Sequence, residues 1–174
     1  KADLAVAKNS LHEMLEEVLL QKDIAAAENN CLKTAHQNVQ TLELLSQVHR
    51  RFSHHPASSG KAISISPKAA SISLHTDATL LRRILGCLVK NTLEASAPKQ
   101  AVTLGCDQQN AQVQFWIHSI PPIPKEVQLQ IFSRSFSTKG SGRGTGTYAA
   151  KLLTEKILKG TVSFRSAPVN GTLF

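Results

Sequence analysis

From Ala2 to Ala27 the chain carries neither proline nor glycine, and the apolar residues Leu4, Ala7, Leu11, Met14, Val18 and Ala25 fall at alternating steps of three and four, with Gln21 interrupting. That spacing predicts one long helix with a narrow a/d seam. Such a seam suits helix pairing better than a broad buried face does, so a homodimer through residues 1–27 is expected. His12-Glu13 lies on this helix, and with no second helix nearby to complete an acceptor hairpin it reads as an ordinary solvated pair. Cys31 to Val39 is polar and reads as a short edge strand. Asn38 then stands ahead of Val39, Leu42, Leu45, Val48 and Phe52 as the expected N-cap of a second helix, which ends in the loop His54 to Gly60.

The period then changes to two. Ile63/Ile65 and Ile72/Leu74 alternate with polar residues in Lys61–Ser66 and Ala70–His75, predicting two strands split by Pro67-Lys68. Asp77 is placed to cap a helix over Thr79–Ser96, with Leu81, Ile84, Leu85, Leu88 and Ala95 on its buried face. Asn91 falls at the margin of that stripe, where an amide needs a partner. Val102–Cys106 and Val113–Ile117 read as an antiparallel pair joined by the turn Asp107–Asn110, and His118 to Pro124 as a rigid loop. Last come a helix over Tyr148–Leu158 stopped by Gly160, a strand over Thr161–Arg165, and a turn at Asn170-Gly171. The expected fold is α+β: a mixed, mostly antiparallel sheet with helices on one face.

Composition narrows the functional classes. With 174 residues, 41% of them hydrophobic, the chain can bury a real core. No apolar run approaches the ~20 residues of a membrane span, and no signal-peptide pattern opens the sequence. The first residue is Lys1, so an upstream portion of a longer, even membrane-anchored, parent is expected. Cys31, Cys87 and Cys106 are odd in number, widely spaced and outside any CxxC pair, which reads as reduced thiols in a cytoplasmic protein. His54-His55, without Cys or carboxylate partners, reads as solvated loop. A net charge of +8 permits an anionic partner. With 5% aromatic residues and no basic patch with interleaved aromatics, nucleic acid is not the expected one.

The anion chemistry gathers in Ile131–Thr147. Gly142, Gly144 and Gly146 can take positive φ and expose backbone N–H groups. The helix that follows offers its N-terminus to an anion, and Lys139 and Arg143 add charge beside the cradle.

The order of features from Asn91 to the C-terminus resembles the ATP-binding catalytic domain of two-component sensor histidine kinases, in the Bergerat superfamily shared with gyrase and mismatch-repair ATPases. Leu85-Gly-Cys-Leu-Val-Lys-Asn-Thr-Leu-Glu-Ala95 is similar to the family's asparagine box and Ile131-Phe-Ser-Arg-Ser-Phe-Ser-Thr-Lys139 to its phenylalanine box. Gly142-Arg-Gly-Thr-Gly-Thr-Tyr148 and Gly171-Thr-Leu-Phe174 are similar to its later glycine boxes. The likeness covers residues 32–174 and implies a Bergerat-type sandwich that binds ATP and Mg²⁺. Asn91 would hold the metal through its amide oxygen; Lys139, Arg143 and the segment Gly142, Gly144, Thr145 and Gly146 would hold the phosphates; Phe132 and Phe136 would anchor the lid. Thr172 would belong to the same site, and Leu88, Ile117, Ile123 and Leu152 to an apolar pocket beneath the base.

Three positions depart from the family pattern. Its Asp-x-Gly-x-Gly box, whose aspartate accepts from the adenine amino group, aligns with His118, Ile120 and Pro122, so a neutral imidazole would be the acceptor. Cys87 replaces the first asparagine of its box, which removes one metal ligand. It also stands where ATP-hydrolysing relatives carry a water-polarising glutamate, which argues against a gyrase-like ATPase. Thr145 and Thr147 replace leucines. By the same resemblance residues 1–27 would end a dimerisation and phosphotransfer hairpin, and the phosphoacceptor histidine is expected upstream of Lys1, leaving no catalytic residue in this chain. The implied activity is phosphoryl transfer from Mg-ATP to that histidine, with a response regulator receiver domain as downstream partner. The alternative is a non-catalytic interaction or scaffold domain that has lost adenine recognition.

Overall fold

The computed structural model describes the backbone of residues 2–134 and 144–174 and, within the first helix, side chains from Ser10 onward except His12. It divides into two units, residues 1–34 and 35–174.

The first unit is the expected helix, α1 (Ala2–Glu28). Asn30 at φ 56 ends it in the left-handed conformation, with Cys31 N–H donating to the Ala26 carbonyl at 2.9 Å. Leu11, Met14, Leu15 and Val18 are between 54% and 68% exposed. No helix among the described residues is long and apolar enough to cross a membrane.

In the second unit β1 (Gln37–Gln40) leads directly into α2 (Thr41–Ser53). Asn38 is therefore not the cap: it lies within β1, and its amide oxygen meets His75 Nδ1 at 3.0 Å. The start of α2 is instead fixed by Thr41, whose hydroxyl donates to the Ala70 carbonyl at 2.7 Å and accepts from Ile72 N–H at 3.0 Å. Leu44, Leu45, Val48 and Phe52 are all at most 3% exposed and pack α2 onto the sheet and onto α3 (Ala78–Ala95). Each such burial is worth about 1.5–3 kcal/mol. The loop after α2 includes one 3₁₀ turn, Pro56–Ser58.

The two alternating segments form strands, β2 (Ala62–Ile65) and β3 (Ser73–Thr76), in different sheets. β3 pairs antiparallel with β1, while β2 lies parallel to β4 (Ala101–Gln109) at the edge of a five-stranded sheet ordered β2-β4-β5-β7-β6. β5 (Gln112–Ser119) continues two residues beyond Ile117. The β4–β5 turn is tighter than expected, with Asn110 at φ 47 and Ala111 at φ 64 as its two central residues. Cross-strand partners share a face. Val102, Leu104, Ile117 and Ser119, each at most 2% exposed, therefore point toward the helices, whereas Trp116 and His118 point to the open face.

Asp77 caps α3 as its position predicts. Its Oδ1 accepts from Thr79 and Leu80 N–H at 2.9 and 3.0 Å, and its Oδ2 from Ala35 N–H at 2.8 Å. At the other end Lys61 Nζ donates to the Leu93 carbonyl at 2.6 Å, satisfying a terminal acceptor with a positive charge. The buried face is wider than the expected stripe, adding Val89, Thr92 and Leu93, and it excludes Ala95, which is exposed between buried Leu93 and Ser96.

After a short α4 (Lys125–Gln128), α5 (Gly146–Leu152) runs into a π-helical turn over Leu153–Ile157. Lys159, at φ 58, makes the left-handed exit expected of Gly160, whose N–H donates to the Thr154 carbonyl at 2.9 Å. The following strand starts later than Thr161: β6 is Arg165–Ala167, because only these residues pair with β7 (Gly171–Leu173).

Gly171 turns the chain into β7 at φ +68, and a Cβ there would lie 2.1 Å from the Ser119 carbonyl oxygen. Gly171→Ala is expected to lose about 2–4 kcal/mol, from the left-handed strain and the displaced β5–β7 pairing. Asp77→Ala is expected to lose about 1–3 kcal/mol through three unsatisfied N–H groups. Urea titration followed by Trp116 fluorescence measures both.

Candidate functional site

The buried-face residue that ends β5 and its partner in the middle of β7 define one side of the candidate site. Ser119 and Thr172 are cross-strand partners and each is 2% exposed. The Thr172 hydroxyl donates to the Pro121 carbonyl at 2.8 Å. It lies 2.9 Å from Ser166 Oγ, which accepts from Ile123 N–H at 2.7 Å. A hydroxyl has one proton. Since Thr172 gives its proton to Pro121, Ser166 must be the donor to Thr172. These bonds tie the proline-rich loop to the C-terminal hairpin and leave Thr172 only acceptor capacity.

His118 is one residue away and on the opposite face. It pairs across the sheet with Thr103 and Leu173, and its Nε2 lies 3.0 Å from the Asn170 carbonyl, so Nε2 carries the proton. Nothing in the expected strand, which ends at Ile117, singles out Ser119; carrying the alternation of Val113, Phe115 and Ile117 on by two residues does.

The other side of the site is built by α3 and α5. A Cβ on Gly146 would meet Cys87 Cβ at 3.8 Å and its carbonyl oxygen at 4.0 Å, so the first residue of α5 rests on α3 one turn before Asn91. Asn91 is half-buried, and its side chain makes no hydrogen bond among the described residues. Gly144 adopts φ 103, a conformation suited to glycine, and Thr145 begins α5 with its carbonyl accepting from Ala149 N–H at 2.7 Å. Thr147 is 7% exposed and its hydroxyl donates to the Ile131 carbonyl, fastening the start of α5 to the segment before the glycines.

Phe132 is anchored by aromatic contacts. It meets Phe164 edge-on at 5.9 Å between centroids, and Phe164 meets Phe174 at 6.0 Å. Lys151 Nζ stands 5.4 Å from the Phe132 centroid. Of the apolar candidates, Leu88 and Ile117 are buried at 5% and 2%, while Ile123 and Leu152 are partly exposed. Phe136, Lys139, Gly142 and Arg143 lie outside the described residues. Among the described residues no three His, Cys, Asp or Glu side chains gather to hold a metal.

Comparison with known proteins bears on the family and the fold. Residues 76–174 match the model of the histidine kinase-, DNA gyrase B- and HSP90-like ATPase family. No match is found among curated protein sequences. Among solved structures, the catalytic domain of histidine kinase ThkA in a nucleotide-free form is similar at 22% identity and TM-score 0.71, over 81% of this chain and 93% of that one. Full-length ShkA in complex with AMPPNP is similar at 21% identity and TM-score 0.75, over 100% of this chain and 38% of that one. ThkA in complex with response regulator protein TrrA is similar at 19% identity and TM-score 0.68, over 100% of this chain and 49% of that one. These likenesses identify a Bergerat-type fold shared with histidine kinase catalytic domains. With more than half its length matched in sequence, the chain belongs to the family of histidine kinase-, DNA gyrase B- and HSP90-like ATPases.

Proposed function

We propose that the chain is the catalytic fragment of a sensor histidine kinase, which binds Mg-ATP and presents the γ-phosphate to a histidine outside it. The observation that carries this reading is the seating of Gly146 on α3, one turn from an Asn91 side chain without a hydrogen bond among the described residues. A helix start, favourable to anions, on the same stretch of α3 as a neutral oxygen donor suited to a hard cation supports that reading. Mg²⁺ would be held by Asn91 and would neutralise charge on the phosphates. Lys139, Gly142, Arg143, Gly144, Thr145 and Gly146 would hold those phosphates, and Thr172 would stand at the base end. The protein's contribution is position and charge, since phosphoryl transfer asks for little covalent chemistry from the enzyme.

The complexes of ShkA with AMPPNP and of ThkA with TrrA support the nucleotide and a response regulator receiver domain as partners. The exposed residues Leu11, Met14, Leu15 and Val18 support pairing of residues 1–27 with a second copy, as the closing helix of a phosphotransfer hairpin. Cysteines 31, 87 and 106, none of them in a disulfide, agree with a cytoplasmic setting. One observation favours a second reading, a scaffold domain without adenine recognition: His118 is turned to the open face and bound to Asn170.

Calorimetric titration with Mg-ATP separates the two, and no heat at millimolar nucleotide would sink the kinase reading for this chain. If it binds, Asn91→Ala should weaken Mg-ATP about tenfold or more while leaving metal-free ATP nearly unchanged. Sedimentation of the chain should show a dimer that Met14→Glu with Val18→Lys converts to monomer; a wild-type monomer at all concentrations would refute the pairing.

A further inference from the structure

We propose that Ser119, not His118, reads the nucleotide base, and that its hydroxyl admits guanine as well as adenine nucleotides. This inference rests on the nucleotide-binding reading above. Three hydroxyls face the helix layer where β5, β6 and β7 meet: Ser119, Ser166 and Thr172. Ser166 and Thr172 are committed to each other and to the Pro121–Ile123 loop. Ser119 is not: it is 2% exposed, yet its hydroxyl makes no hydrogen bond among the described residues. With its two neighbours committed, the Ser119 hydroxyl keeps both its donor and its acceptor capacity for a ligand. His118 is turned from that task, because strand alternation directs it to the face opposite Ser119.

The chemistry of the hydroxyl sets the selectivity. A carboxylate only accepts, so it favours the amino group at position 6 of adenine and opposes the keto oxygen of guanine. A serine hydroxyl does either by rotating about its C–O bond. The neighbouring Thr172, its proton spent on Pro121, adds acceptor capacity but no donor. Among the described hydroxyls at this junction Ser119 is the one left to answer both edges, and the site should distinguish the two purines weakly.

The test is competitive displacement of a fluorescent adenine nucleotide by Mg-ATP and Mg-GTP from the full chain and three variants. The wild type should bind both within about fivefold. Ser119→Asp should shift the ratio about tenfold or more toward ATP, and Ser119→Ala should weaken both nucleotides about fivefold with the ratio kept. If the aspartate variant fails to fold by circular dichroism, Ser119→Ala decides alone. Wild-type affinity in Ser119→Ala overturns the proposal, as do a wild-type ratio in folded Ser119→Asp, a strong wild-type preference for ATP, or a ratio that moves with His118→Ala. A wild-type chain that displaces no probe with either nucleotide overturns the nucleotide-binding reading itself, which none of the other outcomes does.

Discussion

Eight consecutive residue pairs join β4 to β5, and their two-residue period decides which side chains the helix layer receives. Leu104 opposite Ile117 and Val102 opposite Ser119 build the floor of the core. Gly105 opposite Trp116 and Thr103 opposite His118 lie on the other side. The indole lies so close over Gly105 that a Cβ there would be 2.1 Å from it, and its Nε1 donates to Asp107 at 2.7 Å. The register is therefore pinned on both faces, by burial on one and by a close-fitting aromatic on the other. A slip of one residue would exchange the two sets entirely.

The elements easiest to read from sequence were those whose local signals agree. Asp77 followed by a periodic apolar stripe is such a case, and the cap, the helix and most of its buried face are where the stripe puts them. Asn38 shows the opposite: its cap signal is real, but a strand pairing with Gln37–Gln40 takes the backbone first and Thr41 is held from Ala70 and Ile72, some thirty residues away. Long-range bonds of that kind leave no mark in a local window. Ala95 fails as core for a related reason, since the buried side of the last turn falls on Leu93 and Ser96, which the stripe does not reveal.

The candidate site divides in the same way. Glycine spacing and Asn91 are local and chemically specific, so they can be recognised without a structure. The identity of the residue at the end of β5 depends on whether the strand stops at Ile117 or at Ser119, a difference of two residues at a boundary. Because alternate residues change faces, an error of one position there replaces an imidazole with a hydroxyl.

The hydroxyl chain through Ser166 and Thr172 has a mechanical meaning as well. The loop is held to the hairpin at two points six residues apart on the hairpin side, Ser166 for Ile123 and Thr172 for Pro121, and the same two residues are bonded to each other. Each bond in such a chain polarises the next, so the three strengthen one another. With proline rings limiting rotation on the loop side, the connection holds the loop stiffly against the hairpin.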